Sequence, residues 1–297
     1  MIKKSTLFLG MFIILFVFNS CSSFFRFINY SPSTRLVNVE FSSDTNTAYK
    51  FYYSDTLNND YLRRLRNNYG LDTLISNSKN QLESVKIVLA WTRRQWNHSG
   101  SNTPQKSDAI SILEEAKAGK SFRCVEYGIV SAAALNSIGL PARVIGLKSR
   151  DVEKVKYGAG HVAAEVYLPE LKKWVFLDGQ FNAIAMLNNV PLNAVELKHA
   201  IQMNRSAVKI VSLNRVASEK ERDNYLNFVS KYLFYFDINF DNRIGTVDPR
   251  LKINGKNKLM LVPLNQKNPT IFQRKYPIDY CEYSNSYQDF YRTPERH

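Results

Sequence analysis

The segment that begins at Cys124 constrains the fold most, because it predicts an apolar helix with defined ends. Residues 125–138 are an almost unbroken run of helix formers, and Gly139 and Pro141 stop it. A helix of this composition is largely buried. Cys124 therefore lies at the N-terminal end of a buried helix, where unpaired backbone amides and the helix dipole favour a thiolate.

Three strand-like runs follow this helix, at residues 142–147, 160–168 and 173–178. The last two predict an antiparallel hairpin that turns through residues 168–171, because proline suits the second position of a type I turn. This register places Ala163 opposite Phe176 and His161 opposite Asp178. Cross-strand partners have Cβ atoms about 4.5 to 5.5 Å apart, so an imidazole and a carboxylate can hydrogen-bond directly. A slip of one residue would put them on opposite faces of the sheet.

Cys124, His161 and Asp178 together supply the three groups that activate a thiol. A nucleophilic cysteine needs a base to take its proton and a third group to hold that base in the useful tautomer. Taken singly, His161 is typical of an ordinary strand histidine, and Asp178 of a turn residue before Gly179. The joint arrangement of a helix-start cysteine with a His–Asp pair on neighbouring strands favours catalysis.

The N-terminus predicts export. Two early lysines precede a short apolar run at residues 7–18, and the Ser20–Cys21 pair that follows resembles a bacterial lipobox, where cleavage leaves a lipid on the cysteine. An ordinary signal peptide or an uncleaved anchor with a chance cysteine is the alternative. We expect residues 1–20 to be the signal and Cys21 to be lipidated. Because Ser22 is not the aspartate that often marks inner-membrane retention, the expected location is the cell envelope at the outer membrane.

Two further cysteines would then lie in an oxidising compartment. A disulfide between Cys124 and Cys281 is the alternative to a free nucleophile. Since a disulfide would remove the nucleophile, the catalytic interpretation predicts that both thiols are free.

The chain is strongly basic, with 40 Lys and Arg against 26 Asp and Glu and a formal net charge of +14. The basic residues are dispersed, and no zinc finger, RNA-binding signature or phosphate-binding glycine loop occurs, so we expect no nucleic-acid partner. A basic surface suits anionic lipid headgroups or acidic glycans equally well. No calcium loop and no His/Cys metal spacing occur, so neither a metal nor another cofactor is expected.

Composition and patterning divide the chain into four predicted parts: a signal (1–20), a tether and N-terminal segment (21–58), a catalytic domain (59–218) and a C-terminal helix with a β-rich extension (219–297). Helices are predicted at 60–69, 80–96 and 108–118, the last with Ser107 as its N-cap. His199 falls in a polar surface segment, and His98 falls in a loop.

Four motifs occur in order: F-R-C-V-E-Y with Cys124, I-G-L-P-A-R ending in Arg143, G-H-V-A-A-E-V-Y with His161, and K-W-V-F-L-D-G-Q with Asp178. Together they resemble the transglutaminase-like superfamily, whose core is a circularly related cousin of the papain fold, over about residues 85–180. The resemblance implies an α+β fold with the nucleophile-bearing helix packed on an antiparallel sheet, and a catalytic triad of the three named residues. A small C-terminal β-rich appendage would follow this core. Arg123 departs from the glycine that many members have before the cysteine.

The resemblance implies a thiol enzyme that attacks amide or ester carbonyls. We expect a lipid-anchored cysteine hydrolase or acyltransferase acting on peptide, isopeptide or cell-wall amides, with hydrolysis favoured because water is the default acceptor of an exported enzyme. The backbone amide of Cys124 would bind the oxyanion, with Trp96 or Gln95 as the second donor. The alternatives are a catalytically silent binding or assembly lipoprotein with this fold, and a basic surface protein that holds acidic glycan or lipid.

Overall fold

The computed structural model of the chain describes residues 37–45, 49–55, 58–246 and 250–296. The predicted signal peptide and the lipid anchor at Cys21 lie outside these residues and stay predictions. Among the residues described, no helix has the length and apolar character needed to cross a bilayer.

The described residues form eight helices and thirteen strands. The helices are α1 (Asp60–Asn68), α2 (Leu71–Ile75), α3 (Gln81–Arg93), α4 (Ala109–Lys117), α5 (Cys124–Ser137), α6 (Ala194–Asn204), α7 (Glu219–Val229) and α8 (Tyr287–Phe290). The strands are β1 (Tyr52–Tyr53), β2 (Ala142–Lys148), β3 (Gly160–Leu168), β4 (Lys173–Asp178), β5 (Ala183–Leu187), β6 (Val190–Pro191), β7 (Lys209–Val211), β8 (Tyr235–Asn239), β9 (Lys258–Leu261), β10 (Ile271–Phe272), β11 (Tyr276–Pro277), β12 (Cys281–Ser284) and β13 (Glu295–Arg296).

One large sheet organises the molecule. Its strands run in the order β12-β9-β8-β2-β3-β4-β5-β6, with β7 paired to β5, and only the β12–β9 pair is parallel. The predicted α+β class, with a helix on a mostly antiparallel sheet, is confirmed. Strands β8, β9 and β12 come from the predicted C-terminal extension and continue the same sheet beside β2.

Hydrophobic clusters cover both faces of this sheet. Helices α3, α4 and α5 pack with Ala164, Val166 and Leu168 of β3 in one cluster. Helices α6 and α7 pack with Ala163 and Tyr167 of the same strand in the other. Because neighbouring strand residues point to opposite faces, β3 is buried from both sides, and α5 and α7 approach it from opposite faces.

Several helices differ from the sequence prediction. Helix α3 ends at Arg93 rather than at residue 96. At this end, the N–H of Arg94 donates to the Trp91 carbonyl at 3.1 Å and tightens the last turn. The N-cap of α4 is Asp108 and not Ser107, because the Asp108 carboxylate accepts the N–H of Ser111 at 3.1 Å. Helix α6 was not predicted, although Asn193 and Glu196 form a capping box at its start.

The predicted register of the β3–β4 hairpin is wrong by two residues. Ala164 pairs with Leu177 and Leu168 pairs with Lys173, so the loop covers residues 169–172. The turn contains a short 3-10 helix at Pro169–Leu171, and it closes through Lys172 in the left-handed conformation (φ 51°). A shift of two residues preserves the alternation of faces, so His161 and Asp178 become diagonal neighbours on one face instead of direct partners.

Candidate active site

Helix α5 begins at Cys124, as predicted. The thiol is free and half-buried, and Cys281 is free and buried on β12, which confirms the prediction of two free thiols over a disulfide between them. Burial, with a contribution from the nearby Asp237 carboxylate, raises the pKa of Cys281 to about 12. Of these two thiols, only Cys124 lies at a helix start and is accessible.

Arg123, the residue that departs from the family pattern, stabilises the helix start. Its N–H donates to Glu126 Oε2 at 3.0 Å, and its guanidinium Nη2 lies 2.7 Å from Glu126 Oε1. The Glu126 side chain is buried, so the guanidinium supplies the counter-charge that this carboxylate needs. The arginine therefore has a structural partner beside the nucleophile.

Two glycines allow α5 to approach the strands that carry the other site residues. A Cβ on Gly128 would lie 2.8 Å from the Ala163 carbonyl oxygen, and one on Gly179 would lie 2.8 Å from Ser131 Oγ. Both distances are below any normal contact. The helix therefore packs against β3 and the end of β4 more closely than a side chain at either position would permit.

His161 and Asp178 are joined directly at the end of the hairpin. Nε2 of His161 lies 2.9 Å from Asp178 Oδ2, and the two residues are 3% and 0% exposed. The Tyr225 hydroxyl donates to the same Oδ2 at 3.1 Å, and the N–H of Phe181 donates to Oδ1 at 3.4 Å. Since Asp178 occupies Nε2, the other ring nitrogen, Nδ1, is left for Cys124.

The environment of His161 favours its charged form. Burial alone would lower its pKa, but the charge of Asp178 and the hydrogen bond to it, with smaller hydrogen-bond and charge contributions from Cys124, raise the pKa of His161 to about 10. Cys124 therefore contributes to the electrostatic environment of this ring. The imidazole of His161 can therefore hold its proton well above neutral pH.

An aromatic wall surrounds the imidazole. The rings of Phe228, Tyr232 and Phe181 have centroids 5.1, 5.9 and 6.4 Å from that of His161. Burial raises the pKa of Tyr232, with a smaller contribution from Cys124. Sequence reasoning missed this wall and Tyr225, because Phe181 follows β4 in a loop and the other three lie in the segment that was predicted only as a polar helix of the C-terminal extension. Their spacing in the sequence carried no signal that could have found them.

The segment between α3 and α4 lies against the start of α5. His98 forms a bridge with Phe122, and its pKa is lowered by burial and by the charges of His161 and Arg93. The indole of Trp96 packs on the ring of Tyr127, with the ring centroids 4.4 Å apart. The structure therefore places His98 near the site, although the sequence assigned it only to a loop, whereas His199 is exposed on α6.

The two suggested oxyanion donors, Gln95 and Trp96, differ in their hydrogen bonds. Gln95 Nε2 donates to the carbonyl of Trp91 at 2.9 Å. The indole Nε1 of Trp96 is buried and has no hydrogen-bond partner among the residues that the structure describes. An unpaired buried donor is costly, which makes Trp96 the stronger of the two.

Arg143, in the I-G-L-P-A-R motif, makes buried contacts that stabilise the fold. Its guanidinium donates to Glu165 Oε2 at 2.7 and 3.1 Å and lies 4.0 Å from the centre of the Trp174 ring. Both charged side chains are fully buried. A cavity of about 600 Å³ beside Arg143 and Asp241 contains none of the predicted site residues.

The model of the transglutaminase-like superfamily matches residues 71–179. Residues 71–179 form a transglutaminase-like core. The match contains Cys124, His161 and Asp178 and confirms the resemblance drawn from the four motifs, while α7 with Tyr225 lies beyond it. No curated protein matches the chain.

Solved structures with similarity to the chain include two bacterial proteins described as candidate proteases, and LapG. A candidate cysteine protease from Cytophaga hutchinsonii is 13% identical over 59% of this chain and 54% of its own length, with a TM-score of 0.33. A candidate protease from Parabacteroides distasonis is 15% identical over 55% of this chain and 28% of its own, with a TM-score of 0.30. Calcium-bound LapG from Legionella pneumophila is 14% identical over 54% of this chain and 87% of its own length, with a TM-score of 0.31. The chain thus spans about half the length of the first and less of the second.

Proposed function

We propose that this protein is an exported, lipid-anchored cysteine hydrolase that cleaves amide bonds through Cys124, His161 and Asp178. The observation that carries the proposal is the buried 2.9 Å His161–Asp178 hydrogen bond beside a cysteine at a helix start. The transglutaminase-like core supports a cysteine-peptidase type of enzyme. The substrate would be a peptide, isopeptide or cell-wall amide.

In the first half-reaction, Cys124 Sγ attacks the substrate carbonyl carbon and a C–S bond forms. The imidazolium of His161 then gives its proton to the leaving nitrogen, the C–N bond breaks, and the amine departs. Because the pKa of His161 is raised to about 10, this proton is available at neutral pH. Asp178 orients the ring and stabilises its charged form.

In the second half-reaction, a water molecule attacks the thioester. Neutral His161 takes its proton, the C–S bond breaks, and the acid product leaves with Cys124 restored as a thiolate. An amine in place of water would give acyl transfer by the same steps. Hydrolysis is favoured because water is the default acceptor of an enzyme that the predicted signal would deliver to the cell envelope.

The charge that develops on the substrate oxygen needs donors in both half-reactions. The backbone amide of Cys124 at the N-terminus of α5 is the first, and the helix dipole adds to it. The indole N–H of Trp96 is the second, supported by its lack of another partner among the described residues and by its packing on Tyr127, one turn beyond the nucleophile.

A second candidate function is a binding or assembly lipoprotein that keeps this fold without catalysis. The burial of His161, which is 3% exposed behind Phe228 and Tyr232, favours it. A substrate carbonyl must reach the sulfur and the imidazole together, and a closed site would prevent this. Turnover separates the two functions.

The test is a screen of the full-length protein against peptides and cell-wall fragments, with release of amino groups as the measurement. We expect release by the wild type, complete loss in Cys124→Ala, and loss of several orders of magnitude in Asp178→Asn with the fold intact, by analogy with serine triads. Cys281→Ala is the matched control, because it removes a buried thiol remote from the helix start. Equal release by wild type and Cys124→Ala would exclude the proposed enzyme.

A further inference from the structure

Helix α7 reaches the Asp178 carboxylate from outside the family-matched core. Its Tyr225 hydroxyl donates to Oδ2 at 3.1 Å, and the same oxygen is bonded to His161 Nε2 at 2.9 Å. Tyr225 is 6% exposed and Asp178 is 0% exposed, so water does not compete for this oxygen. Two donors therefore share one acceptor inside the protein.

The packing of α7 fixes the position of this hydroxyl. Leu226 and Val229 are fully buried in the cluster on that face of the sheet, and the Phe228 ring meets the imidazole edge to face at 5.1 Å. Burial, with the charge of Asp178, raises the pKa of Tyr225 well above its ordinary value. The phenol therefore remains protonated, and a hydrogen-bond donor, at neutral pH and well above it.

We propose that Tyr225 is a positioning residue for the proposed triad: it holds the Asp178 carboxylate in place and draws part of its charge away from His161. The inference rests on the proposed function. Without Tyr225, the carboxylate would be held only by His161 and by the long 3.4 Å bond from the Phe181 N–H, so it could turn about its own bond and the imidazole would turn with it. A carboxylate fixed by Tyr225 as well keeps Nδ1 aimed at Cys124.

Competition for Oδ2 gives this role a spectroscopic signature. Removal of the phenol leaves more charge on the oxygen that faces His161, so the Asp178–His161 hydrogen bond strengthens while its orientation loosens. The other titratable and charged groups near the pair, which are Cys124, Tyr232, His98 and Arg93, are unchanged by a substitution at 225.

The experiment uses the full-length protein labelled with ¹⁵N-histidine, and His161→Gln assigns the ring proton bonded to Asp178. In Tyr225→Phe, we expect this proton to move downfield and acylation by p-nitrophenyl acetate to slow about tenfold. A 3-fluorotyrosine introduced at position 225, which is a stronger donor of nearly the same size, should move the proton upfield. An unshifted proton in both proteins overturns the proposal, and the fluorinated protein alone decides if Tyr225→Phe does not fold.

Tyr291→Phe is the matched control. The Tyr291 hydroxyl donates to the buried carboxylate of Glu165 at 3.0 Å, and burial also raises its pKa well above the ordinary value. Its loss should leave the His161 proton and the acylation rate unchanged. An equal shift in both phenylalanine variants would show a general packing effect and overturn the proposal. If the wild type is not acylated at all, the proposed enzyme fails, while the proton shift still decides whether Tyr225 acts on the pair.

Discussion

Replacement of Gly128 by alanine tests whether the close packing of α5 on β3 positions the thiol of Cys124. The added methyl would lie 2.8 Å from the Ala163 carbonyl oxygen and 3.1 Å from Val162 Cγ1. The first contact is with backbone, which cannot rotate away. Overpacking of this kind costs about 1–3 kcal/mol, whereas alanine in a helix gains about 0.5–1 kcal/mol over glycine. With the midpoints of these ranges, about 2 and about 0.75 kcal/mol, we expect a net loss of about 1 kcal/mol in the free energy of unfolding.

Urea unfolding followed by circular dichroism measures this loss, and Gly100→Ala is the control. No heavy atom lies within 4 Å of a Cβ at Gly100, so its effect should stay within about 0.5 kcal/mol. Helix α5 would have to move away from β3, and the thiol of Cys124 with it, so acylation by an activated ester should also fall about tenfold. A Gly128→Ala protein as stable and as reactive as the wild type would refute the reasoning.

Three further predictions concern charge, packing and the membrane anchor. The pKa of His161 is raised from 6.5 to about 10. The extra stability of the wild type over His161→Gln should therefore be complete below about pH 6.5 and lost as the pH rises through 10. Urea titrations of both proteins at pH 6.5, 8 and 10 measure this difference, and a difference that stays constant would contradict the prediction. Arg143→Met leaves the fully buried Glu165 without its cation, so thermal unfolding should show a loss of about 3–5 kcal/mol, and a loss below 1 kcal/mol would contradict this. Cys21→Ser should move the protein from the detergent phase to the aqueous phase in a detergent partition, whereas unchanged partition would exclude lipidation at Cys21.

The elements that carry the proposed triad could be predicted because their signals are local. Helix α5 and the strands Gly160–Leu168 and Lys173–Asp178 follow from runs of helix formers, alternation and turn residues. The hairpin register was wrong by two residues because the conformation of Lys172 in the turn depends on three-dimensional geometry that turn composition does not specify. The error left His161 and Asp178 on one face, since the period of a strand is two residues.

The contacts around the triad could not be predicted, because they join distant parts of the chain. Tyr225 meets Asp178 across 47 residues. Its position on α7 has the apolar spacing of any core-facing helix residue. Arg143 is similar: the motif identified it, but the structure alone shows that its charge is buried against Glu165 and Trp174. Local sequence patterns predict the helix and strands of the site, whereas the partners of buried polar groups depend on tertiary packing.

The most direct test of the central claim is the mass of the protein shortly after it is mixed with p-nitrophenyl acetate at pH 7. We predict a burst of about one nitrophenolate per chain and an acetyl group on Cys124, located by peptide mapping. The burst should be lost in Cys124→Ala and strongly slowed in His161→Gln. Acetylation of another residue, or an equal burst in His161→Gln, would contradict the claim that Cys124 is a nucleophile activated by His161 and Asp178.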